Sequence, residues 1–185
     1  MVDCVSFMNL NMILSLVLFS TSLVLPIMHI LLAPKRLSIP TIAEMMLKYA
    51  LFFNVGCLFI LGGAGQFLYA REIASCIGWS WSPFQYELAF SELCLGILGL
   101  LAPLFYREFW LSTTIAAVVW LMGGTAVHLY YLLAHGNEAV INAQFVIGWN
   151  VVIAVWLIGL YVILAKPLTK LFDTLEVWRE CTSKQ

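Results

Sequence analysis

The sequence predicts an all-α integral membrane bundle of about five transmembrane helices followed by a short C-terminal amphipathic helix, and three observations carry that prediction. Of 185 residues, 63% are hydrophobic and 10% are charged, whereas soluble domains run at roughly 45–50% and 25%. Mean hydropathy is +0.97. Five apolar stretches each reach the roughly 20 residues that a 30 Å hydrocarbon core requires at a rise of about 1.5 Å per residue.

The stretches cover residues 10–33, 42–69, 85–106, 109–135 and 139–165. The first reads as a retained helix rather than a cleaved signal: Asp3 stands where a signal carries a cation, the apolar run is too long, and Ala33-Pro34-Lys35-Arg36 makes a poor cleavage site. Because the longest connector, residues 70–84, is short, neighbouring helices lie antiparallel in one bundle. That bundle spans residues 1–165. Beyond it, Leu168, Leu171, Phe172, Leu175 and Trp178 share one helical face and Lys170, Asp173, Glu176 and Arg179 another, so residues 166–185 read as a cytoplasmic amphipathic tail on the membrane surface or against a partner.

Charge placement predicts orientation. An N-terminus outside and a C-terminus in the cytoplasm put Lys35, Arg36, Lys48, Arg107, Lys166, Lys170, Arg179 and Lys184 inside and Arg71 alone outside, the bias expected across a cell (inner) membrane. Tryptophans and tyrosines near the helix ends, Trp79, Trp81 and Tyr86 among them, read mostly as interfacial belts. Nine basic and ten acidic residues scattered in ones and twos form no block that binds nucleic acid. The five cysteines make neither a CxxC pair nor a metal-ligand spacing, and no motif identifies a cofactor. Cys4 and Cys76 both fall outside, where a disulfide persists.

Polar residues within the helices carry the functional question, since an ionisable group at the bilayer centre costs at least about 2.5–3.5 kcal/mol on insertion scales. They gather in the outer half of the bilayer: Gln66 ends the second helix, Gln85 and Glu87 open the third, and Asn142 and Gln144 enter the fifth. Glu92 and His128 lie at similar depths, about 10–12 Å from the outer helix ends, so a Glu–His pair is expected there. Glu87 and Glu92 are about 140° apart around their helix and make no carboxylate pair. Glu92 instead shares a face with Ala89, Gly96 and Gly99, small residues suited to close helix contact. Further expectations are a His29–Glu44 pair, a hydrogen bond involving Asn54 and Asn150 near mid-membrane, and Ser82 as the cap of the third helix; Gly62-Gly63-Ala64-Gly65 reads first as close helix packing, with loosening of the second helix as the alternative.

The order Ile77-Gly78-Trp79, Ser82-Pro83-Phe84-Gln85-Tyr86-Glu87, Gly96-x-x-Gly99, Phe109-Trp110-x-x-Thr113, Gly124-x-x-x-His128, Asn137 and Asn142 resembles a family of small prokaryotic multi-pass membrane proteins catalogued as a domain of unknown function, over residues 52–163. The resemblance implies no reaction, but it singles out Trp79, Gln85, Glu87, His128, Asn137 and Asn142. With Gln66 and Glu92 from depth alone, these are the candidate ligand-binding residues. Two function classes follow. One is a module with an outward-facing polar pocket that binds or moves a small polar ligand, ion or proton. The other is a structural or accessory subunit of a membrane complex or homo-oligomer, its polar residues serving only packing. A membrane enzyme is the weaker third, for the chain carries no nucleophile elbow and no HExxH motif.

Overall fold

In a computed structural model, residues 3–34, 37–143 and 145–164 are described, and among them every regular element is helical. Five helices are long and apolar enough to cross a membrane: α1 (Cys4–Leu31), α2 (Ile39–Leu68), α4 (Phe84–Leu104), α5 (Arg107–His135) and the last, α7 (Phe145–Leu164), whose apolar span is Val146–Leu164. Two shorter helices intervene, α3 (Ala70–Ile77) and α6 (Val140–Ala143). The proposed tail, residues 166–185, lies outside the described residues, as do Lys35, Arg36 and Gln144.

Local chemistry sets the ends. Asp3 caps α1, its carboxylate accepting from the backbone N–H groups of Val5 and Ser6 and from Ser6 Oγ at 2.6 Å. These bonds, led by the Ser6 hydroxyl, hold the Asp3 carboxyl below the ordinary aspartate range. A carboxylate so lowered stabilises the fold above the unfolded-state pKa, and that contribution fades as pH falls through the folded value. Ser38 caps α2 with Pro40 in its first turn. Gly78 and Gly136, both at positive φ, end α3 and α5.

Helix α2 is the most enclosed, with 39% of its apolar window buried against 17–28% for the other four. It packs on α1, α4 and α7, and α5 closes on α7. Leu47, Leu51, Val55, Phe59, Leu121 and Leu157 fill the centre, while large apolar side chains such as Leu16, Phe90, Val119 and Val155 point outward. Outward-facing apolar surface of this extent requires lipid rather than water. Contact between α2 and α4 runs along glycines: a Cβ at Gly99 would stand 2.2 Å from the Gly56 nitrogen, and one at Gly96 2.7 Å from the Ile60 nitrogen.

Several local expectations change. The second helix departs from α geometry not at its glycine run but one turn earlier, in a π-helical stretch (Leu51–Cys57), while Leu58–Leu68 is regular. There Asn54 donates to Ser22 Oγ of α1 at 3.0 Å, and Asn150 reaches the Leu121 carbonyl of α5 at 3.5 Å. Both asparagines join helices, but not to each other. Glu44 pairs with Lys48 one turn on, at 2.9 Å, and His29 is exposed; the i,i+4 geometry is reached without crossing between helices. Helix α4 starts without a side-chain cap, the Ser82 carbonyl rather than its hydroxyl accepting from Gln85 N–H.

Candidate functional site

The end of the bundle that carries the chain's N-terminus collects most of the candidate residues. Here α3 lies across the helix ends, burying Ile73, Ala74, Cys76 and Ile77 and exposing Arg71, Glu72 and Ser75. A disulfide between Cys4 and Cys76 ties α3 to the start of α1 across 72 residues of chain. Alkylation of intact protein followed by mass spectrometry is therefore expected to modify Cys4 and Cys76 only after reduction; modification of both without reductant contradicts the bond.

Asn137, just past the αL turn at Gly136, fastens the other end of α3. Its Nδ2 donates to the Ile77 carbonyl at 2.9 Å while its Oδ1 accepts from Ala139 N–H at 3.1 Å. A Cβ on Gly78 would lie 2.7 Å from that Oδ1, and Gly78 has φ +79°. Space and conformation both demand glycine there. The Ile-Gly-Trp order thus has a physical meaning: the carbonyl is clamped, the glycine makes room, and Trp79 is turned inward.

Trp79 stacks on His128 of α5, with ring centroids 5.4 Å apart and planes within 14°, and Tyr131 tilts against it at 5.2 Å. Trp79 thus packs its ring against α5. Beneath the rings sits Asn142 of α6, fully buried. Its Nδ2 donates to the Asn137 carbonyl at 2.8 Å and to the His128 carbonyl at 3.3 Å. Both amide hydrogens are spent, so Oδ1 is the atom facing His128 Nδ1 at 2.8 Å. An amide oxygen only accepts, hence Nδ1 carries the hydrogen. In the neutral ring this leaves Nε2 with its lone pair, and Nε2 has no hydrogen-bond partner among the described residues.

The remaining candidates separate. Gln66 and Gln85, both buried, hydrogen-bond each other between α2 and α4. Glu87 is exposed and makes no hydrogen bond or ion pair among the described residues. Glu92 is half-buried on the α2-facing side of α4, its Oε2 covered and without a partner, 3.1 Å from where a Gly62 Cβ would be. The expected Glu92–His128 pair is not formed: equal depth brings two residues together only if both faces converge, and α4 turns Glu92 towards α2 while α5 turns His128 towards α3 and α6. Sequence reasoning places Tyr131 only in the outer aromatic belt and gives no role to Ser22; their one signal is helical placement near Trp79 and Asn54.

A family model described as a family of unknown function (DUF6790) matches residues 12–168. The chain belongs to the DUF6790 family. The match takes in α1 from residue 12 onward, the other four spanning helices and every candidate residue, a wider stretch than the motif resemblance covered. No curated protein and no solved structure matches the chain. DUF6790 membership agrees with a multi-pass membrane protein and carries no activity of its own.

Proposed function

We infer that this DUF6790 chain is a membrane binding module that takes up a small polar solute or a proton at His128. The observation that carries the reading is the Asn142 lock. A buried amide with both hydrogens committed to carbonyls fixes one imidazole tautomer and presents Nε2 as an acceptor; outer groups of this kind orient histidines that accept protons or bind ligands. Beside it, Trp79 Nε1–H is buried with no hydrogen-bond partner among the described residues, an unmet donor that a polar guest satisfies. A solute with one acceptor and one donor is the complementary chemistry. The Cys4–Cys76 bond supports placing this end outside the cytoplasm, where disulfides persist, in line with the cation bias and with a cell-membrane location.

A thermal-shift screen of small polar solutes against the detergent-solubilised protein tests the reading. At least one solute is expected to stabilise the wild type, by about 2.7 kcal/mol at a hundredfold excess over its Kd. His128→Ala is expected to assemble normally and to lose that stabilisation. An unassembled His128→Ala protein, with no solute effect on the wild type, contradicts it.

Specific observations also favour a second reading. Asn137, Asn142, Gln66 and Gln85 direct their amides to partners within the fold, as in an accessory subunit whose polar groups only join helices. That reading makes capture of a membrane-protein partner depend on Phe172 and Trp178 of the tail. Unchanged capture after mutating both removes it.

A further inference from the structure

Glu92 is the one carboxyl among the described residues that combines membrane depth with an unpartnered, covered oxygen. It sits eight residues into α4, about 12 Å from the end of the helix at 1.5 Å per residue. Its carboxyl lies over Gly62, the only neighbour that a Cβ at Gly62 would meet within 4 Å being this carboxyl. The notch therefore exists because position 62 has no side chain. Above and below, α2 and α4 are locked by backbone contact: Gly63 against the Ala89 carbonyl and Gly96 against the Ile60 nitrogen. Neither helix can move aside to admit bulk water without breaking those contacts.

No group nearby neutralises the carboxyl. The elements packed on α4 are α2, α3 and α5. On α2, Glu44 and Lys48 pair with each other, and Cys57 lies five residues before Gly62. On α3, Arg71 lies over the Trp81 ring and Glu72 is exposed. On α5, His128 is held by Asn142. No hydrogen bond or ion pair joins Glu92 to any of them. Glu92 also does not serve as interhelical glue, since it makes no hydrogen bond or ion pair among the described residues.

We propose that Glu92 is a membrane-embedded proton-binding site, carried as the neutral acid in the Gly62 notch and able to release its proton only when that notch is hydrated. An isolated carboxylate in an apolar setting is far costlier than a neutral acid, so the group takes up a proton instead of staying charged. This site is independent of the His128 reading, using a different helix pair and a different face of the bundle.

The test uses the full-length protein in phosphatidylcholine nanodiscs at neutral pH. A dicyclohexylcarbodiimide probe adds to protonated carboxyls: the acid proton passes to one carbodiimide nitrogen, the carboxyl oxygen bonds to the central carbon, and an acyl shift leaves a stable N-acylurea with no leaving group. Peptide mapping is expected to find the adduct on Glu92 and not on exposed Glu87 or Glu138, with labelling falling as pH rises. Infrared spectroscopy is expected to show a protonated-carboxyl stretch that Glu92→Gln removes. Where that variant fails to assemble, the adduct map of the wild type decides. Either signal at Glu92 supports the site; absence of both from the assembled protein overturns it. Failure here leaves solute stabilisation through His128 untouched.

Discussion

Gly99→Ala is expected to destabilise the bundle by about 3 kcal/mol, at the upper end of overpacking costs, and Gly99→Leu to prevent assembly. The added Cβ would lie 2.2 Å from the Gly56 nitrogen, 2.7 Å from its Cα and 2.8 Å from the Leu51 carbonyl oxygen. All three are backbone atoms, so no rotamer change relieves the clash; α4 must move away from α2. The displaced stretch is the π-helical one, which also carries Asn54 to Ser22. Damage at one contact therefore reaches α1. Denaturant titration in detergent measures the loss, with Gly123→Ala as the control: nothing lies within 4 Å of that position, and a change within about 0.5 kcal/mol is expected. Equal effects of the two substitutions contradict the close α2–α4 approach.

Asn142→Leu has the second-largest expected effect. The substitution roughly conserves volume but removes three hydrogen bonds at once, to the Asn137 carbonyl, the His128 carbonyl and His128 Nδ1. In water a buried group left unsatisfied costs about 1–3 kcal/mol, whereas interhelical hydrogen bonds in membranes average nearer 0.6 kcal/mol. A total of about 2 kcal/mol is consistent with both. The more diagnostic consequence is local: with the amide gone, nothing in the described structure holds the His128 hydrogen on Nδ1. Solute stabilisation is expected to weaken in this variant even after its lower stability is allowed for, since the position of the ring is lost as well as its support.

The spanning helices were legible because bilayer thickness imposes a length that few other constraints mimic; helix ends moved by up to six residues, from residue 10 to Cys4 at the start of α1 and from residue 139 to Phe145 at the start of α7, where Val140–Ala143 forms the separate α6. The face of α4 was legible too, since Ala89, Gly96 and Gly99 are small only where another backbone arrives. Partner identity was not. Depth along a helix follows from counting residues, but rotation about the helix axis depends on every contact the helix makes, so Glu92 and His128 matched in depth and faced different neighbours. The same limit applied to Asn54 and Asn150, whose partners Ser22 and Leu121 carry no signal in the sequence. Trp79 illustrates a different difficulty: an interfacial tryptophan and a tryptophan turned inward by a clamped glycine look alike until the Asn137–Ile77 bond is known.

Nitrogen-15 NMR of histidine-labelled protein in bilayers tests the central claim most directly, with His128→Gln assigning the His128 resonances. At alkaline pH, in the neutral ring, the Asn142 lock predicts a protonated Nδ1 and an unprotonated Nε2 for His128. A ring that carries its hydrogen on Nε2 would contradict the lock and the binding role built on it.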